Sequence, residues 1–382
     1  MNLLMLTGDS TVACGIDGAF FQMLGRFSKY WTRIDIICPH AKGASERVIH
    51  GNVYVHPAPH HRLFQPFYIR KKGLALSKER RYDLISSHDF GFYYNGIGAY
   101  LLSRATRIPY VSDIPHIEGY PIASSLREKL YRLATRIYIP FAKRHASAFR
   151  AINKLEVPPF LMKMGVKAAD ILILYAFYID FNVFHPYPEI EEKYDIAFVG
   201  RLATNKNIFQ LLEAVRQVKA QKPDISLVML GRGPLKKKIE VYIRTHDLSQ
   251  NVTMMERLAH PEDVAKLYAA SRMLVCSSTA EGGPRVTLEA MACKTAVITT
   301  PIGIMLEVTQ DGVNGLLYQW DTEELASKIM RLLDQPVFRQ ELAEKGYESV
   351  QGFQADMIIR QYANGYHELI HRLRQKQLKK ND

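Results

Sequence analysis

The sequence predicts an α/β chain of two doubly wound, Rossmann-like domains with a cleft between them. Three observations carry that prediction. The chain has 382 residues, more than one typical core accommodates and suited to two domains of roughly 100–200 residues each. Short apolar, β-rich runs alternate with helix-length segments, which indicates βαβ units and a mostly parallel sheet. The runs also fall into two series, separated by DFNVFHPYPEIEEKYD (180–195), where Pro186 and Pro188 precede a charged run.

In the first series the strands are read at NLLMLT (2–7), IDIICP (34–39), VYVHP (53–57), YDLISS (82–87) and PYVSD (109–113). In the second they are YDIAFVG (194–200), SLVMLG (226–231), NVTMM (251–255), MLVCSS (273–278) and AVITT (296–300). The implied division is a first domain over 1–180, a linker over 181–195, a second domain over 196–350 and a tail over 351–382. The tail is helical in pattern with a frayed basic end. The opening MNLLMLTGDS lacks a basic n-region and reads as the first strand, not a signal peptide. The longest apolar run, ILILYAF (171–177), falls far short of the ~20 residues that span a bilayer. Cys14, Cys38, Cys276 and Cys293 show no C-x-x-C spacing. Cys38 and Cys276 lie in strand-like runs and are expected to be buried small hydrophobes in a reducing cytoplasm.

The formal net charge of +12 is unevenly placed. Residues 1–185 hold 24 Lys and Arg against 13 Asp and Glu, or +11, and the remainder 26 against 25, or +1. A basic first half can face nucleic acid, an anionic membrane or an acidic acceptor, or can simply be a solvated surface.

The chemistry concentrates in AEGGPRVTLEAMAC (280–293), where Glu289 interrupts an apolar helical run eight positions after Glu281. A strand ends at MLVCSS, TAEGG turns, and a helix is expected to begin at or near Pro284, a residue suited to the first helical position. Gly282 and Gly283 allow a ligand close to the backbone, and the helix start offers an anion site. Glu289 falls about five residues into the helix, roughly 7.5 Å along its axis. Carboxylates accept from hydroxyls, so the layout fits a diphosphate between two hydroxyl-rich ends, as in a nucleoside diphosphate sugar. The competing reading leaves Glu281 on a surface turn and pairs Glu289 with Arg285. A second turn, FVGRLATNKN (198–207), also follows a strand and carries Arg201 and Lys206, two cations able to clamp a diphosphate. LGRGPLKKK (230–238) adds a further glycine turn.

Together these segments resemble the GT-B glycosyltransferases of the retaining family 4 (group 1) type. The likeness rests on Glu281…Glu289, on VGRL…NKN, on ITTPIGIMLEVTQDGVNGLLY (298–318) and on LYAFYIDFNVFHP (174–186), which keeps Asp180 and Phe184. The resemblance implies an acceptor-binding first domain, a nucleotide-sugar-binding second domain, and a tail that packs back on the first. It implies Arg201 and Lys206 on the diphosphate, Glu281 on the donor sugar and Glu289 on the ribose. Gly282, Gly283, Arg285, Val286 and Thr287 would line the donor. From the first domain it implies Gly15 near the diphosphate and His116, in PYVSDIPHIEGYP, beside the reacting sugar. Asp113 and Glu118 lie near His116, and His88 ends another strand on the same side. The chain departs from the family in having Gly283 for the usual aromatic, which is expected to loosen the wall beside the donor, Phe177-Tyr178 for Asn-Gly, and Gly15 and Gly18 for a Gly-Gly pair.

The implied reaction is hexosyl transfer to an acceptor hydroxyl with retention, the departing phosphate taking the acceptor proton. No cofactor is expected, and with no Asp-x-Asp in the chain no metal is either. FQPFYIRKKGLALSKERRYD (64–83) and LREKLYRLATRIYIPFAKRHASAFR (126–150) mix cations with apolar residues. In the second, Leu126, Leu130, Leu133, Ile137 and Phe141 recur at helical spacing between Arg127, Lys129, Arg132, Arg136 and Lys143. That pattern suits a helix at an anionic membrane surface, or an ordinary helix whose apolar side packs into its own domain. The expected setting is the cytoplasm, with peripheral attachment to the inner membrane face and a lipid-linked or envelope-polysaccharide acceptor. The rival readings are a nucleotide-sugar epimerase or phosphorolytic enzyme of similar fold, and a non-catalytic donor-binding subunit. Nucleic-acid binding rests on charge alone and is the least supported.

Overall fold

Leu3, Leu4, Met5 and Leu6 are all fully buried, as residues of a central strand covered on both faces must be. In the computed structural model, which describes residues 1–381, they belong to β1 (Asn2–Leu6). The first sheet continues with β2 (Arg33–Cys38), β3 (Arg47–Ile49), β4 (Val53–Pro57), β5 (Leu84–His88), β6 (Tyr110–Ile114), β7 (Ala148–Ala151) and β8 (Ile171–Ile173). Its order is β3-β4-β2-β1-β5-β6-β7-β8, and the described pairs are parallel except β3 with β4. Chain order therefore reverses between β1 and β5.

This first unit comprises residues 1–117, 130–176 and the chain from Asp356 on. The closing helix Ala355–Asn381 is held by Tyr366, whose hydroxyl is 2.8 Å from Ser86 Oγ, and by Tyr362, stacked on Phe27 at 4.6 Å. The helix Leu126–Ala142 buries Thr135, Tyr138, Ile139 and Ala142. Its other face leaves Leu126, Leu130, Leu133 and Ile137 exposed by 74, 50, 54 and 70%. The alternative in which this stripe packs into its own domain is therefore corrected: Tyr138 makes the packing face, its ring stacked on Tyr93 at 4.1 Å. Phe141 alone of the expected stripe turns inward, 5.0 Å from Tyr100.

The second unit comprises residues 118–129 and 177–355. Its strands are β9 (Tyr194–Val199), β10 (Leu227–Leu230), β11 (Val252–Met255), β12 (Ser271–Cys276), β13 (Ala296–Thr299) and β14 (Leu316–Leu317). They run in the order β11-β10-β9-β12-β13-β14, all parallel, so here the order reverses between β9 and β12. One core lies where Leu211, Leu212 and Val215 meet Leu325, Ile329 and Leu332.

The boundaries differ from those expected, and residues 177–180 and 351–355 fall in the second unit. Residues 181–195 are not a separate linker but part of the second unit. There Val183 and Phe184 N–H donate to the Asp180 carbonyl, and Lys193 and Tyr194 N–H to that of Ala270. Residues 118–129 also join this unit, with Ile122 N–H donating to Thr279 O at 3.4 Å. Every expected strand is present. β3, β7, β8 and β14 are additional; β7 carries Arg150 in its middle, and a charge there hides a buried strand.

Candidate active site

In an open parallel sheet, ligands gather beyond the strand carboxyl ends where the order reverses. In the second unit that point lies between β9 and β12, and the two loops leaving these strands carry the expected residues. They are stitched together. Thr279 N–H donates to Asn205 O at 2.8 Å, Ser277 Oγ to Lys206 O at 2.7 Å, and Asn205 Nδ2 to Ala280 O at 3.3 Å. Lys206 Nζ is ion-paired with Glu281 Oε1, which also accepts from Ser278 Oγ at 2.5 Å. Arg201 stands exposed on the same turn. The glycines of LGRGP serve this turn: a Cβ on Gly231 would collide with the Gly200 carbonyl, and one on Gly233 with that of Leu202. Ser278 and its neighbour Ser277 escaped the sequence reading, although two hydroxyls directly after a strand are a usable signal.

The helix after the second loop is Arg285–Ala292. Pro284 is its N-cap, with ψ 101°, instead of its first residue, and its carbonyl accepts from Thr287 Oγ1 at 2.5 Å. Thr287 and Gly282 are buried, whereas Gly283, Arg285 and Val286 are half-buried. Glu289 is 8% exposed. Tyr268 hydroxyl donates to its Oε2 at 3.3 Å, and Arg285 Nε lies 2.8 Å from Oε1. The competing Arg285–Glu289 pairing is thus present, so the spacing of the two glutamates cannot by itself assign a ligand. Burial pushes the Glu289 carboxyl up, with Arg285 and Tyr268 opposing it. The Arg285 guanidinium carbon sits 4.9 Å from the centroid of the Tyr178 ring.

Gly283 also needs a correction. Its lack of an aromatic does not loosen the wall: a Cβ there would lie 2.7 Å from the Phe177 ring and 2.5 Å from Ile304 Cγ2. Phe177, 8% exposed, already fills that space. The departures at 177–178 and at 283 are therefore one structural fact seen twice.

In the first unit the reversal between β1 and β5 brings Thr7 and His88 together, Nδ1 to Oγ1 at 3.3 Å. His88 Nε2 is 3.5 Å from Asp113 Oδ2, which Arg150 Nη1 engages at 2.6 Å. Burial lowers the His88 pKa despite Asp113, favouring the neutral ring. Asp113 is therefore committed to Arg150 and His88. His116 is half-buried two residues past β6. Glu118 is counted with the second unit, and burial pushes its carboxyl up to about 7. Gly15 has φ +74°, and Arg47 Nη1 lies 2.5 Å from where its Cβ would stand.

Residues 181–349 match the family model described as glycosyl transferases group 1. An uncharacterized glycosyltransferase of Methanocaldococcus jannaschii is 27% identical over 323 residues, 83% of this chain and 86% of that one. Among solved structures, sucrose-phosphate synthase of Thermosynechococcus elongatus superposes with a TM-score of 0.81 at 19% identity, covering 97% of this chain and 99% of the other. Anabaena HepE in complex with UDP and glucose gives 0.76 at 21%, covering 96% of this chain and all of the other. At such identities these two speak for the fold alone, which is GT-B.

Proposed function

The chain belongs to the group 1 glycosyltransferases, and on that premise we propose that it moves a hexosyl group, with retention, from a nucleoside diphosphate sugar to an acceptor hydroxyl. The observation that carries this reading is the Lys206–Glu281 pair at the reversal point of the second sheet. It sets a cation suited to a phosphate against a carboxylate suited to a sugar hydroxyl. Glu281 uses only Oε1 for Lys206 and Ser278, and an ionised carboxylate has further acceptor positions. Arg201 and Lys206 neutralise the departing diphosphate, with no metal assigned. Glu289 holds the ribose, and backbone at Gly282, Gly283, Arg285, Val286 and Thr287 lines the donor. Gly15 and His116 serve from the first unit, and the departing phosphate takes the acceptor proton. HepE bound to UDP and to UDP-glucose supports a nucleoside diphosphate sugar as the donor class.

The acceptor in this reading is lipid-linked or a growing envelope glycan, met at the anionic inner face of a membrane. The exposed Leu126, Leu130, Leu133 and Ile137 stripe beside Arg127, Lys129 and Arg136 supports it. No helix among the described residues is long and apolar enough to cross a membrane.

The test is a panel of nucleoside diphosphate sugars incubated without acceptor. A slow release of nucleoside diphosphate, lost in Glu281→Gln and Lys206→Met, is expected. An epimerised donor, or no turnover of any donor even with acceptor extracts, contradicts the proposal.

A further inference from the structure

The Arg285–Glu289 ion pair looks at first like an obstacle to ribose binding, because it occupies the carboxylate that should receive the diol. Its geometry says otherwise. Arg285 Nε is 2.8 Å from Glu289 Oε1 but its N–H finds no hydrogen-bond acceptor, so it is not aimed along the carboxylate. The pair supplies opposite charge at close range while leaving acceptor directions of the carboxylate unused.

Glu289 needs such a charge. It is 8% exposed on the buried side of its helix, and burial favours the neutral acid. A protonated carboxyl loses one acceptor oxygen to its own proton, whereas the ionised form can take both O–H donors of a vicinal diol. The groups facing Glu289 are Arg285 on its own helix, Cys293 at that helix's C-cap and Tyr268 from the helix Pro261–Ala269. Arg285 is the one cation among them. Its guanidinium is in turn covered by the Tyr178 ring, 4.9 Å to the centroid, an arrangement that holds a cation in place.

We propose that Arg285, held by Tyr178, is the counter-ion that keeps Glu289 in the ionised form a ribose diol requires, making Arg285 and Tyr178 positioning residues of the donor site. This rests on the donor-site reading above. It gives Phe177-Tyr178 a joint purpose: Phe177 walls Gly283 while Tyr178 seats Arg285.

The experiment is calorimetric titration of the full chain with uridine, guanosine, adenosine and cytidine diphosphates, across acid, neutral and alkaline pH. With the best binder, Arg285→Met is expected to bind about tenfold more weakly than wild type at neutral pH, the loss that follows when roughly nine-tenths of Glu289 is protonated in the variant. Its affinity should return toward the wild-type value at alkaline pH. Tyr178→Leu should shift in the same direction by less, and Glu289→Gln should be weak and keep only the pH dependence that the ligand's own phosphate ionisation at pH ~6 imposes. A loss in Arg285→Met that is the same at every pH, or no loss at all, overturns the inference while leaving the donor site intact. Failure of wild type to bind any of the four diphosphates overturns the donor-site reading itself.

Discussion

Lys206 and Glu281 share a half-buried setting in which each supplies the other's charge. Removing either leaves an uncompensated charge and strips a contact from the donor. Lys206→Met and Glu281→Gln are therefore expected to lower kcat/KM by ~10²–10³, the range seen when a single preorganised electrostatic contact is deleted. Ser278→Ala, which removes one hydrogen bond to Glu281, should cost about 1 kcal/mol of transition-state stabilisation. Steady-state kinetics with the identified donor checks both, and unchanged kinetics in Lys206→Met would argue that the pair is only structural. Gly283 gives a second residue-scale expectation. Gly283→Phe, which restores the usual family aromatic, should collide with Phe177 and lower stability by about 1–3 kcal/mol. Adding Phe177→Ala should recover much of that loss, and additive melting shifts in the double variant would contradict the packing argument.

At the scale of elements, a buried polar group ties strands to a helix. Asp89, just past β5, accepts from Ser87 at 2.6 Å, from Ser112 of β6 at 2.5 Å and from Tyr138 of the helix Leu126–Ala142 at 2.6 Å. Burial pushes its carboxyl up to about 7 against these hydrogen bonds. A carboxyl raised on folding makes the native state bind more protons than the unfolded chain. Its contribution to stability is complete below about 4, the ordinary carboxyl value, and is lost as pH rises through about 7. Urea midpoints measured over that window should fall with rising pH in wild type and flatten in Asp89→Asn; parallel curves would contradict this. Burial likewise separates what was legible in the sequence from what was not. NLLML and YDIAFV announce themselves because both faces of a central parallel strand are apolar. AFRA does not, since Arg150 becomes a strand residue only through Asp113, 37 positions away. Glu281 and Lys206 could be found because each follows a strand by a short turn, and Glu289 because a carboxylate interrupts an apolar helical run. The Tyr178–Arg285 and His88–Asp113 contacts could not, because they join segments distant in the chain.

For the whole molecule, the uneven charge was readable by counting, but which face of the helix 126–142 meets solvent was not. Both faces carry apolar residues, and the buried one is marked by contacts distant in the chain, the Tyr138 ring on Tyr93 and its hydroxyl donating to Asp89. The exposed stripe predicts binding to vesicles with anionic headgroups that weakens as salt is raised. Leu130→Gln with Ile137→Gln should reduce co-sedimentation severalfold without changing the melting temperature, since neither side chain is buried. Equal binding to neutral and anionic vesicles would remove the membrane reading and leave the donor site untouched. The central claim is that the second unit cradles a pyrophosphate flanked by two sugars, and a thermal-shift panel of nucleoside diphosphates and their sugars tests it most directly. A ligand at roughly a hundred times its Kd should stabilise wild type by about 2.7 kcal/mol. The account predicts that at least one donor does so and that Glu289→Ala and Arg201→Ala lose the shift. A panel that stabilises neither wild type nor variants, or all of them alike, would contradict it.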